Sequence, residues 1–180
     1  MSASRKDEPL ERHEVTIHYL EQKAPVTRPP VPVPAKKLAL MRAETPPLTF
    51  YRFLFNGVGE EHRWVSRRYL SDDALKALIH RDDVYIYPLI LAGSSVGFGE
   101  LDARIKGEVC IKFFGLLPEA RRLGLGRWFF REMTDLAWSL RPGRVIIETC
   151  SLDSPRALQL YQREGFTLYD RAHGVIEWYG

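Results

Sequence analysis

Cysteine is scarce in this chain: Cys110 and Cys150 are the only two in 180 residues. That excludes a disulfide-stapled scaffold. Both sit in apolar, strand-like runs, which predicts buried free thiols in a reducing cytoplasm. Neither these cysteines nor the scattered histidines have zinc-ligand spacing, so no metal is expected. No apolar run approaches membrane-spanning length, and the N-terminus has no apolar signal core, so neither membrane insertion nor export is predicted. Charge of one sign is lacking too. The formal net charge is only +3, with no basic stripe interleaved with aromatics, so nucleic acid is not an expected partner. Two phosphate-binding motifs are also missing. No Gly-x-x-x-x-Gly-Lys-Ser/Thr string occurs, and Phe129 stands where the third glycine of a dinucleotide fingerprint would fall after Gly124 and Gly126.

What is present is the composition of a soluble globular protein, 45% hydrophobic and 27% charged. The length suits one domain with a substantial core. Residues 1–13 read as a flexible polar tail and 14–180 as a single domain. Val15, Ile17 and Tyr19 alternate with polar residues as a half-buried strand does. Pro25, Pro29, Pro30, Pro32 and Pro34 make a stiff, extended connector over about 23–36. Leu38 to Arg42 reads as a short strand. Phe50, Phe53 and Leu54 have helical spacing, and Gly57 can end that helix. Ser71 caps a second helix, with Leu75, Leu78 and Ile79 on one face. Three strands follow as hairpins: Val84 to Leu91, where Pro88 requires an edge or bulge, then one with Val96, Phe98 and Glu100 facing one way, then Glu108 to Phe114. A helix from about Gly126 to Leu140 leads to an apolar strand, Val145 to Thr149. A right-handed crossover places that strand parallel to Glu108–Phe114. Ser154-Pro155 starts a last helix that Gly165 ends. Phe166 to Tyr169 and Val175 to Tyr179 read as two closing strands.

The stretch from Phe113 to Arg127 organises the rest. A strand enters it, a helix leaves it, and between them lie Arg121, Arg122, Gly124, Gly126 and Arg127. Glycines let backbone approach a ligand closely. The free N–H groups of a first helical turn, with the helix dipole, favour phosphate at that point. The local chemistry reads as a diphosphate cradle.

Arg-x-x-Gly-x-Gly after a strand ending Leu-Leu-Pro resembles the acetyl-coenzyme A loop of the GNAT superfamily of N-acetyltransferases. A second element agrees: Ser154-Pro155-Arg156-Ala157-Leu158-Gln159-Leu160-Tyr161, then Glu164-Gly165-Phe166, is similar to the family's Asn-x-x-Ala-x-x-Leu-Tyr…Gly-Phe. The likeness covers roughly Leu38 to Tyr179. It implies an α/β (α+β) fold with a mixed, mostly antiparallel central sheet flanked by helices and splayed at its central strands. The Pro-rich segment and the strand before it are not general to the family and resemble a bacterial subgroup. Two departures stand out: Arg122 replaces a common glycine, and Ser154 replaces the usual Asn near the pantetheine arm.

The resemblance implies transfer of an acetyl group from acetyl-CoA to a primary amine by direct attack. A Lys-like amine has a pKa of about 10.4 and must first lose a proton. The oxyanion needs a donor, and the leaving thiolate needs a proton. By resemblance the donor is the backbone N–H of Leu116, with Gly115 permitting a strand-opening bulge, and the proton donor to sulfur is Tyr161. The cofactor contacts it implies are Leu116, Leu117, Arg121, Arg122, Leu123, Gly124, Leu125, Gly126, Arg127, Ser154 and Tyr161. Glu100 is the preferred general base, with Glu108 and Glu148 as rivals; Glu108 shares a face with Lys112. Tyr51, Phe55 and Trp64 lie where such folds close over the acceptor. A homodimer is compatible with the fold class. The alternative is a non-catalytic acyl-CoA sensor on the same fold. Gly93-Ser94-Ser95-Val96-Gly97 matches an esterase nucleophile elbow in letters but joins two strands, where that motif requires a strand and a helix.

Overall fold

Alternation of apolar and polar residues sets seven strands, and they join in one sheet in the order β2-β3-β4-β5-β6-β1-β7. The computed structural model describes residues 10–179. The elements are β1 (Glu11–Gln22), β2 (Leu38–Leu40), α1 (Leu48–Gly59), a 3-10 turn at Glu60–His62, α2 (Asp72–Ile79), β3 (Val84–Leu91), β4 (Ser94–Asp102) and β5 (Glu108–Leu116). A second 3-10 turn (Pro118–Ala120) precedes α3 (Leu125–Ser139), β6 (Arg144–Cys150), α4 (Pro155–Arg163) and β7 (Thr167–Trp178). Among the described residues every strand pairing is antiparallel except β5 with β6. The expected mixed, mostly antiparallel sheet flanked by helices is therefore what the chain adopts.

Several boundaries differ from expectation. Strand β1 already begins at Glu11, inside the predicted tail; the rest of that tail, residues 1–9, lies outside the described residues. The two predicted closing strands are one, β7, because β1 offers a long partner from Glu11 to Glu21. Helix α1 buries Tyr51, Leu54, Phe55 and Val58, leaving Phe53 exposed. Its apolar stripe is thus rotated from the predicted one. Ser71 caps α2 by accepting from the Ala74 N–H, as expected. Pro88 falls between the β2 ladder, which ends at Leu89, and an isolated bridge at Ile86. Ser94 to Gly97 belongs to β4, so no helix follows the elbow-like letters.

Two bulges shape the centre. Leu89 pairs with Gly97 but Ile90 with Ser95, so Val96 is the extra residue on β4. Val96 consequently joins the cluster beneath α3, while Phe98 packs with α1. The expected common face of Val96, Phe98 and Glu100 is broken there. On β5 the extra residue is Lys112, because Leu101 pairs with Ile111 and Glu100 with Phe113. The expected bulge at Gly115 does not occur: Gly115 pairs in register with Phe98. Its missing side chain serves packing instead, since a Cβ there would meet Val58 Cγ1 at 2.4 Å.

The core lies in two clusters, one on each face of the sheet. α3 covers one face with Phe129, Phe130 and Met133, and α1 with α2 covers the other with Tyr51, Leu54, Phe55, Leu75 and Ile79. Within the second cluster lies a charged group, Glu100, with no solvent exposure. It accepts from Tyr51 Oη at 2.5 Å and Arg67 Nη2 at 2.8 Å. Burial, then the Glu100 charge, pushes the Tyr51 phenol well above its usual range. Such a pair holds only while both partners are present. The Glu100→Gln variant leaves the buried Arg67 charge unmatched and is expected to lose about 3–5 kcal/mol. Thermal unfolding should show a midpoint roughly 10 °C lower; an unchanged midpoint would show that the pair contributes nothing to stability.

Candidate active site

The β5–β6 ladder ends at Ile111 and Ile147, yet β5 continues to Leu116 and β6 to Cys150. The two ends diverge, and the Lys112 bulge lies at the point of divergence. Between them opens a cleft of about 1310 Å³. The Leu117 N–H bonds the Val96 carbonyl at 2.9 Å. Antiparallel alternation then turns the N–H and C=O of Leu116 away from β4, toward the cleft. The Leu116 carbonyl meets Arg121 Nε at 3.3 Å.

The residues expected to form a phosphate cradle gather along this cleft. Gly124 has φ +74° and caps α3 without any side-chain bond, leaving the first-turn N–H groups open. Gly126 is in ordinary helical conformation with open space where a Cβ would stand. Arg122 is left-handed at φ +72°, which explains why a glycine suits that position and why arginine is strained in it. Arg121, Arg122, Gly124, Leu125, Gly126, Arg127, Ser154 and Tyr161 all border the cleft, as do Arg156 and Arg163. Leu117 and Leu123 do not. Leu117 is buried against α1, and Leu123 points to solvent. Ser154 Oγ is engaged as the α4 cap, accepting from the Arg156 N–H.

Glu164, fully buried, holds this end together. Its carboxylate takes Arg127 Nε at 2.8 Å, Arg131 Nε at 2.6 Å and Arg28 Nη1 at 2.6 Å. Gln22 Nε2 donates to its carbonyl at 2.7 Å. Burial works to raise the Glu164 pKa, but Arg131 and Arg127 outweigh it and hold the carboxyl below its usual range.

Tyr161, one turn before Glu164 on α4, is buried against Phe130, and its hydroxyl bonds no described residue. Burial, with Asp153 nearby, pushes the phenol well above its ordinary value, so it stays protonated near neutrality. The three candidate bases separate cleanly. Glu100 is sealed in the core and absent from the cleft wall. Glu108 lies at the closed end of β5, paired with Arg144 rather than Lys112. Only Glu148 borders the cleft, paired with Lys112. Burial tends to lower the Lys112 pKa, but Glu148 reverses this and raises it. Tyr51 and Phe55 are core residues, while Trp64 does line the opening.

Sequence reasoning placed Trp64 over the acceptor but missed Asp153 and the ion pairs of the strap, residues 60–66, that carries Trp64. Asp153 accepts from Trp64 Nε1 at 3.1 Å, Thr149 Oγ1 at 2.8 Å and the Cys150 N–H at 2.8 Å. On the same strap Glu61 pairs with Arg121, and Arg63 pairs with Glu11 at 2.9 Å. The only signal in the sequence was an acidic residue in the turn before a Ser-Pro helix start.

The profile of the Acetyltransferase (GNAT) family matches residues 48–166. No curated protein matches significantly. Among solved structures, a GCN5-related N-acetyltransferase from Sphaerobacter thermophilus is similar at TM-score 0.58 and 15% identity, over 89% of this chain and 50% of that one. One from Kribbella flavida gives 0.58 and 16%, over 92% and 60%. Spermidine N-acetyltransferase from Vibrio cholerae gives 0.59 and 20%, over 76% and 82%. This chain thus spans only half to three fifths of the first two, and the likenesses bear on fold.

The Glu164 cluster yields a pH test. A folded pKa held below the ordinary glutamate value of about 4.3 gives stability that is complete above that value. It is lost as pH falls through the lower folded value. Glu164→Gln should therefore be less stable than the parent at pH 7, with the gap in unfolding midpoint closing as pH drops below about 4. A gap that does not depend on pH would reject this linkage.

Proposed function

Since the chain belongs to the GNAT acetyltransferase family, matched over residues 48–166, we propose that it transfers an acetyl group from acetyl-CoA to a primary amine by direct attack in the splayed cleft. One observation carries this reading. The open N-terminus of α3, the outward-facing Leu116 amide and the protonated Tyr161 all border one cleft.

Each residue then has a physical task. The amides of Leu125, Gly126 and Arg127, with Arg121 and Arg122, hold the diphosphate of the donor. The Leu116 N–H stabilises the oxyanion that forms as the amine nitrogen bonds the thioester carbon. The carbon–sulfur bond breaks, and Tyr161 gives its proton to the departing thiolate. Glu148, paired with Lys112, takes the amine's proton directly or through water. The free thiols of Cys110 and Cys150 fit a reducing cytoplasm. Burial pushes the Cys110 thiol up to about 12, which keeps it inert.

A hundredfold excess of acetyl-CoA over its Kd should add about 2.7 kcal/mol and raise the unfolding midpoint by roughly 5–10 °C. Arg121→Ala should lose most of that shift. Glu61→Gln, which releases Arg121 from its protein partner, should tighten binding a few-fold. Free-thiol release should require an amine and climb with pH as the amine deprotonates. Tyr161→Phe should lower kcat about a hundredfold at an unchanged midpoint. Binding without turnover of any amine would leave a non-catalytic acyl-CoA sensor instead, and full activity in Tyr161→Phe would remove that residue from the chemistry.

A further inference from the structure

Resting on that reading, we infer that the acceptor is a monoamine carried on an uncharged, apolar body, such as an arylalkylamine or alkylamine, rather than a polyamine or aminoglycoside. The inference comes from the end of the cleft away from the cradle. There the sheet face of β6, β1 and β7 is not covered by α1 or α2, which pack over β3, β4 and β5. It forms a shelf that runs on from the divergence of β5 and β6. Ile17 sits opposite Cys150 on one side and Ala172 on the other; Val15 sits opposite Gly174. A Cβ at Gly174 would rest 3.5 Å from Ile17 Cδ1 and 3.8 Å from Val15 Cγ2. Glycine at that position keeps the shelf low. Ile176 extends it, and Trp64 forms the wall above.

Charge on the cleft wall decides between acceptor classes. Among the described residues three carboxylates border the cleft: Glu148, Asp153 and Glu164. Glu164 belongs to the cradle end and is enclosed by three arginines. Glu148 is matched by Lys112, and the strap's Arg63 by Glu11. Asp153 alone has no cationic side chain bonded to it; its partners are an indole, a hydroxyl and a backbone amide. The acceptor end thus presents one carboxylate with no cation bonded to it beside an apolar shelf. One ammonium is matched there. Each further ammonium of a polycation would face Ile17, Val15 or Ile176, losing water without gaining a partner. An apolar body gains instead, and discrimination by such contacts commonly reaches tenfold or more.

The test is kinetic, on the full chain with acetyl-CoA and free-thiol detection. Phenethylamine and tryptamine should exceed spermidine and kanamycin at least tenfold in kcat/KM. The Ile17→Asp variant puts a carboxylate on the shelf and should shrink that ratio at least tenfold, with an unfolding midpoint recorded to verify folding. Should this variant fail to fold, Ile176→Asp, nearer the rim, serves the same purpose. Spermidine or kanamycin turned over as well as phenethylamine in the parent would overturn the inference while leaving amine acetylation intact. A substrate ratio unmoved in a folded variant would overturn the role of the shelf. No turnover of any amine would sink the acetyltransfer reading itself, and the inference with it.

Discussion

The parallel pairing of β5 with β6 stops after four residue pairs, and the cleft depends on that interruption. A complete ladder would consume the backbone groups of β5 and β6 in each other and leave nothing for a ligand. The Lys112 bulge, held by Glu148 from across the gap, adds one residue to β5 where the ladder ends. That turns β5 toward β4 and frees the Leu116 amide. A local insertion of one residue thus converts a packed sheet into a cleft with hydrogen-bonding groups along its edge.

Three glutamates that look equivalent as letters acquire three different roles from their surroundings. Glu100 is a core ion pair, fixed by Arg67 and Tyr51. Glu108 closes the far end of the sheet with Arg144. Glu148 alone stands at the opening. What distinguishes them is the reach of partners far away in sequence. Arg67 is 33 residues from Glu100, and Lys112 is 36 residues from Glu148.

The legible parts of the fold were those set by neighbours in sequence. The Ser71 and Ser154 caps, the hairpins and the turn from Arg121 into α3 are local, so their letters suffice. The phase of α1 was not legible, because Phe50, Tyr51, Phe53 and Phe55 are all large and apolar, and only the sheet beneath selects which are buried. Bulges at Val96 and Lys112 each shift facing by one residue, and a period-two pattern contains no mark of them. Alternation in Val15, Ile17 and Tyr19 announced a strand but could not say that it lies between β6 and β7.

That placement of β1 gives the N-terminal segment contact with both ends of the cleft. Val15 and Ile17 form the shelf, while Gln22 and Arg28, at and beyond the end of the same strand, hold Glu164 and through it Arg127. Arg131 also bonds the Pro29 carbonyl, fixing the Pro-rich connector against α3. All of these N-terminal residues precede the family-matched region, which begins at residue 48. The division is physical. In the proposed reaction the cradle, the Leu116 amide and Tyr161, all within the family-matched region, do the chemistry common to any amine. On the same proposal the added strand, whose Val15 and Ile17 line the cleft, meets the part of the acceptor that does not react. On that reading a change in β1 should alter the choice of amine more than the rate of the chemical step, because Val15 and Ile17 belong to the shelf and supply no group to the reaction.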